Sequence, residues 1–133
     1  MNKIEHIGIA VKDIDEANQR FAKLLGIEPY KQEQVEREGV LTSFFKVGAS
    51  KIELLAATHE DSPIKKFLEK RGEGIHHIAF DVNNIVKEID RLKQEGFVLI
   101  NDIPKDGADN KLVVFVHPKS TGGILVEICQ EKK

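Results

Sequence analysis

A single cysteine, Cys129, in 133 residues leaves no partner for an intrachain disulfide. The chain therefore cannot be a disulfide scaffold, and a reducing compartment suits it. Cys129 itself reads as a small core residue on a final apolar stretch. No apolar run approaches the roughly 20 residues that a membrane-crossing helix needs. The opening MNKIEHIGIAVKDIDE scatters charges among its apolar residues, unlike the unbroken core of a secretory signal. With a net charge of only −2, neither nucleic acid nor an anionic membrane is expected as a partner. No glycine-rich phosphate loop of the Walker or dinucleotide-binding kind is present. These absences leave a cytoplasmic protein as the expectation. Its 133 residues, 41% apolar and 32% charged, make a single domain spanning 1–133 with enough chain for a real core.

What the chain does have is a repetition. IEHIGIAVKDI at 4–14 returns as IHHIAFDVNNI at 75–85, so that Ile4, His6, Ile7, Val11 and Ile14 meet Ile75, His77, Ile78, Val82 and Ile85. The offset is 71 residues (77 − 6). A second echo, KIELL around Glu53 and LVEI around Glu127, recurs at an offset of 74 (127 − 53). Two long copies point to paired modules rather than an open-ended array. Module 1 covers about 1–58, a bridging helix about 62–72, and module 2 about 74–130.

Within each module the hydrophobic period changes from two to about four. Residues 4–11 alternate as a strand. A helix follows, capped by Asp13 with Glu16 three residues on, striped by Ile14, Ala17, Phe21, Leu24 and Leu25, and stopped at Gly26. Strands are expected near 28–36, 40–47 and 51–57. Pro63 suits the first turn of the bridging helix, which ends at Gly72. The second copy predicts a strand at 75–82, a helix near 84–95 and strands near 97–101, 111–117 and 123–129. PKDGADN (104–110) reads as a turn-rich loop and KSTGG (119–123) as a hairpin turn. The expected fold is α+β: two tandem βαβββ modules forming an open, cup-shaped eight-stranded mixed sheet with helices outside.

Strand parity selects the candidate site. His77 shares a face with Ala79 and Asp81, whereas His76, Ile78, Phe80 and Val82 share the bulky face that should pack on a helix. His6 likewise shares a face with Gly8 and Ala10, and Glu5 goes with Ile7 and Ile9 on the other. Glu53 alternates against Ile52 and Leu54, and Glu127 against Val126 and Ile128. His6, Glu53, His77 and Glu127 are therefore expected to converge on the cup-lining side. One histidine on a strand usually ligates nothing, but a symmetric quartet with two glutamates that burial would penalise is another matter. Two imidazoles and two carboxylates suit one borderline divalent ion, among Co²⁺, Zn²⁺, Ni²⁺, Mn²⁺ and Fe²⁺, and lack the thiolates of a structural zinc site. Four protein ligands leave open positions for substrate oxygens.

Paired βαβββ modules with His near the start and Glu near the end of each resemble the vicinal oxygen chelate (glyoxalase/bleomycin resistance) superfamily. Within it, HIGIAVKDIDEA (6–17), DSPIKKFLEKRGEGIHHIAF (61–80) and HPKSTGGILVEI (117–128) are similar to the methylmalonyl-CoA epimerase family. The likeness runs from about residue 4 to 129, and the last two stretches are the specific ones. It implies a metal-dependent epimerase acting on an acyl-CoA, with Co²⁺ the first choice of ion, through a 1,1-proton transfer between (R)- and (S)-methylmalonyl-CoA. It also implies a homodimer. His6, His77 and Glu127 match the family's ligands, and Glu127 is also a candidate base.

The chain departs from part of that family. Some members place glutamine where this chain has Glu53, and they carry a separate catalytic glutamate three residues after a hairpin glycine. Counted from Gly39, that place holds Thr42, which is no general base at neutral pH. Glu53 is then expected to serve as both ligand and base opposite Glu127; the alternatives are a bound water, Glu36 or Glu38. Lys65, Lys66, Lys70 and Arg71 could meet coenzyme A phosphates, or form a solvated helix face. Lys119 and Ser120 could meet a substrate carboxylate, and His59 and His117 read as structural. Glyoxalase I (lactoylglutathione lyase) uses a similar ligand set and is the alternative activity. A second alternative is a non-enzymatic small-molecule-binding member.

Overall fold

Strands outnumber helices eight to three in the computed structural model, which describes residues 1–132. In chain order they are β1 (Lys3–Ala10), α1 (Ile14–Leu25), β2 (Lys31–Val35), β3 (Val40–Val47), β4 (Ser50–Ala57) and α2 (Pro63–Arg71). Then come β5 (Gly74–Asp81), α3 (Ile85–Gln94), β6 (Lys105–Gly107), β7 (Lys111–Val116) and β8 (Val126–Glu131). Hydrogen bonding orders the strands β2-β3-β4-β1-β5-β8-β7-β6 in an eight-stranded sheet. The sheet is mixed: β5 and β8 run parallel, while β2–β3–β4 and β6–β7–β8 are antiparallel. The α+β class and the mixed sheet are as the sequence predicts.

By packing, the chain divides into two compact units: residues 7–76, and residues 1–6 together with 77 onward. In the first, Asp13 accepts the Glu16 N–H to start α1, and Gly26 ends it in the left-handed conformation. Ile14, Ala17, Phe21 and Leu25 of α1 pack on Ile9, Val11, Phe45, Ile52, Leu54 and Ala56. Leu24, predicted to join that stripe, is instead exposed, at the margin of the apolar face. Ile64, Phe67 and Leu68 of α2 pack on Ala10, Val40 and Leu55. Odd and even residues of β4 thus serve different clusters, as period-two alternation requires.

The second unit repeats the scheme. Ile85, Ile89 and Leu92 of α3 lie on Phe80, Val82, Val114, Val116 and Ile128. Ala79, Val113, Phe115 and Cys129 form a separate cluster from the alternate residues of the same strands. Here one expectation fails. The stretch 97–101 is not a strand: Leu99 makes a single bridge to Val116, and Phe97 and Leu99 are drawn into the α3 cluster. The second strand of the module is instead β6, inside the stretch read as a loop. Asp109 and Asn110, both left-handed, turn the chain so that Lys105–Gly107 pairs with Val113–Lys111. A side chain at Gly107 would meet Val113 at 2.8 Å, so the pairing needs glycine there. The KSTGG segment is likewise a short 3-10 turn over Pro118–Ser120 followed by a glycine turn.

Candidate metal centre

Three buried side chains converge in the unit formed by residues 1–6 and 77 onward: His6 on β1, His77 on β5 and Glu127 on β8. They are 4%, 6% and 6% exposed. His6 Nε2 lies 3.0 Å from His77 Nε2, and Glu127 Oε1 lies 3.7 Å from the former and 3.3 Å from the latter. Bonds of about 2.0–2.2 Å to one shared ion separate two ligand atoms by roughly 3.0 Å at a right angle and 3.4 Å at a tetrahedral angle. The observed separations fall around those values, so the three residues fit a single ion. Two imidazole nitrogens facing each other suit shared coordination, since a hydrogen bond between them uses only one proton.

Register explains the convergence. Glu127 pairs with Ala79 across the parallel β5–β8 ladder and with Phe115 across β7–β8. His77 stands two residues before Ala79 and hence on the same face. The small Ala79 leaves room above the strand, and Phe115 stands edge-on to His77 with centroids 6.0 Å apart. Burial works to raise the Glu127 carboxyl, but the adjacent His6 and His77 rings, whenever they carry positive charge, outweigh it. The net effect lowers it from the usual carboxylate range, which favours the ionised, ligating form. On the same strand face burial pushes the Cys129 thiol up, so it stays a protonated core residue.

Glu5 was missed by the parity argument. It is only 2% exposed, and its Oε1 lies 2.8 Å from His6 Nδ1. Lys111 on β7, also buried, places Nζ 3.9 Å from the other Glu5 oxygen. Adjacent residues Glu5 and His6 thus direct polar atoms to each other, against simple alternation. A charge between apolar neighbours beside a candidate ligand was the only signal available.

Glu53 lies in the other unit, on β4. It is 4% exposed and sits across from Phe44 on the β4 face away from α1. Its burial and parity are as predicted. The next row of that face holds Leu55, the buried Thr42 and, across from Thr42 on β2, Glu33. Lys31 joins the Glu53 row, with Nζ 4.9 Å from the Phe44 ring centroid and 3.5 Å from Glu33 Oε1. Glu33 is a carboxylate on the Glu53 face that sequence reading passed over. Glu36 and Glu38 sit in the short 3-10 turn before Gly39, and Glu36 accepts from Gln34.

Several of the remaining candidates make local contacts. Ser120 Oγ accepts the Val98 N–H, and His117 Nδ1 accepts that of Lys119. His59 packs so tightly on Gly39, itself left-handed, that a Cβ there would stand 2.6 Å from the ring. The Arg71 guanidinium covers Phe67, and Lys65 pairs loosely with Glu60. Among the described residues no helix is long and apolar enough to cross a membrane.

The buried His-His-Glu cluster defines a candidate metal centre, and the comparisons with known proteins place the chain in a family. The model of the glyoxalase/bleomycin resistance protein/dioxygenase superfamily matches residues 5–115, and the chain belongs to that superfamily. The ethylmalonyl-CoA/methylmalonyl-CoA epimerase of Cereibacter sphaeroides is 41% identical over 132 residues, covering 98% of each chain. A variant of Streptomyces coelicolor methylmalonyl-CoA epimerase, solved in complex with 2-nitronate-propionyl-CoA, matches with a TM-score of 0.94 at 34% identity over 98% of this chain and 95% of that one. A methylmalonyl-CoA epimerase in complex with methylmalonyl-CoA and NH4+ matches with a TM-score of 0.93 at 34% identity, with the same coverage. Within the superfamily, the chain stands with the methylmalonyl-CoA epimerases.

Proposed function

We propose that this chain interconverts (R)- and (S)-methylmalonyl-CoA by a 1,1-proton transfer. The observation that carries the proposal is the His6–His77–Glu127 cluster, spaced as ligands of one ion, in a chain whose relatives are epimerases of this substrate. His6, His77 and Glu127, with Glu53 as the fourth member of the set expected from the sequence, would hold one divalent ion per chain, Co²⁺ in the first instance. When bound, such an ion supplies Lewis-acid stabilisation to negative charge developing on a substrate oxygen. The rest is done by the chain's own groups. A carboxylate on one face of the substrate takes the α-proton, and the electron pair of the broken C–H bond passes into the enolate. A group on the opposite face returns a proton to the α-carbon, inverting it. Glu127 serves one face and Glu53 the other, with water, Glu33, Glu36 or Glu38 as the alternatives to Glu53.

The working protein is a homodimer in the cytoplasm, with the acyl-CoA as its small-molecule partner. The relatives favour this chemistry over the glutathione-adduct isomerisation of lactoylglutathione lyase. Incubation of the Co²⁺-loaded protein with (R)-methylmalonyl-CoA in D₂O tests the reading. Deuterium should enter the α-position as the (S) form accumulates, and a chelator should stop both. Turnover of the methylglyoxal–glutathione adduct in place of methylmalonyl-CoA would overturn it.

A further inference from the structure

We propose that Glu5 is a positioning residue that fixes the tautomer and orientation of His6. The proposal deepens the metal reading and rests on His6 being a ligand. An imidazole can coordinate only through an unprotonated nitrogen, and which nitrogen that is depends on the hydrogen bond made by the other. Glu5 Oε1 stands 2.8 Å from His6 Nδ1. An ionised carboxylate can only accept, so Nδ1 carries the proton and donates it to Glu5. The lone pair is left on Nε2, the atom that faces His77 Nε2 at 3.0 Å and Glu127 Oε1 at 3.7 Å. In the opposite tautomer, a proton would occupy the direction of the ion.

Burial makes the arrangement informative. A carboxylate 2% exposed is costly unless hydrogen-bonded and charge-balanced. Glu5 has both supports, His6 on one oxygen and the Lys111 ammonium 3.9 Å from the other. Lys111 is itself buried and reaches inward from β7. Lys111, Glu5 and His6 thus form a line of alternating charge capacity that ends at the candidate ligand. A partner carboxylate of this kind raises ligand basicity and holds the ring plane.

The test uses the full chain and three variants. Glu5→Leu removes the acceptor. Glu5→Leu combined with Lys111→Met also removes the stranded ammonium, so that a folding defect in the single variant does not hide the result. Glu5→Gln keeps an acceptor oxygen and should rescue. Co²⁺ titration by calorimetry should show both leucine variants weakened by about 10–100-fold, the usual loss on removing such a partner, and Glu5→Gln closer to the parent. Nitrogen-15 chemical shifts of the metal-free proteins should show His6 protonated at Nδ1 in the parent and shifted toward the Nε2-protonated tautomer in the leucine variants. Undiminished Co²⁺ affinity in the folded double variant, or an Nε2-protonated His6 in the parent, would overturn the proposal. If the parent binds no Co²⁺ at all, the metal reading fails, while the tautomer measurement still decides the role of Glu5.

Discussion

His6 and His77 occupy equivalent places in the repeat, yet the residues before them differ in kind. Glu5 precedes His6, is buried and contacts its Nδ1. His76 precedes His77, is half-buried, and turns to Phe67 of the bridging helix, edge to face at 5.0 Å. The two first strands thus present the same ligand type, but only one copy places a carboxylate next to it in sequence. The modules diverge again at their second strands. β2 runs five residues and carries Lys31 and Glu33 on the Glu53 face, whereas β6 runs three and is tied to a left-handed turn. The repeat keeps the candidate ligands at equivalent sequence positions, and the residues around them differ between the copies.

The largest effects should come from the glutamate pair related by 74 residues. Glu127→Gln and Glu53→Gln should each lower epimerisation by about 10²–10⁴-fold, the usual worth of one general base. Co²⁺ should be retained by Glu53→Gln, because an amide oxygen still coordinates. Thr42→Val should change little. Near-normal turnover by Co²⁺-loaded Glu53→Gln would break the symmetry and move the second proton to water, Glu33, Glu36 or Glu38; steady-state kinetics on each variant decides.

Next in size are the buried apolar residues beside those glutamates, Leu54 and Ile128, again 74 apart (128 − 54) and fully buried. Leu54→Ala and Ile128→Ala should each cost about 2–5 kcal/mol in urea unfolding. A large difference between them would mean that one helix–sheet layer holds the fold more than the other.

A smaller contrast sharpens the histidine comparison. Glu5→Leu should weaken Co²⁺ binding, while His76→Leu should leave affinity unchanged and cost about 0.5–1.5 kcal/mol for the lost ring contact with Phe67. Equal effects on affinity would show that the two first strands are less different than their neighbours suggest.

The smallest effects belong to the helix caps. Asp13 and Asn84 stand 71 apart (84 − 13), and each accepts a backbone N–H three residues on, from Glu16 and Lys87 at 3.1 Å. Asp13→Ala and Asn84→Ala should each lower stability by about 1 kcal/mol. Thermal unfolding that moves for one and not the other would mark the insensitive helix as held by packing alone.

Much of this was local and therefore legible. Alternation along β5 and β8 puts His77 and Glu127 on the faces they occupy, because side-chain direction in a strand depends only on parity. Caps, stops and the bridging helix follow from short-range backbone chemistry at Asp13, Gly26, Ser62 and Pro63. What the tertiary structure alone decided involves partners distant in sequence. Residues 97–101 have strand-like alternation, but most of the ladder along the free side of β7 went to β6, leaving one bridge at Leu99. Parity groups Glu5 with Ile7 and Ile9 on the face opposite His6, and only the fold brings Lys111, 106 positions away (111 − 5), to balance its charge and lets its oxygen meet His6. Period and propensity act between neighbours; register, burial of charge and the separations of candidate ligands depend on which strands finally lie side by side.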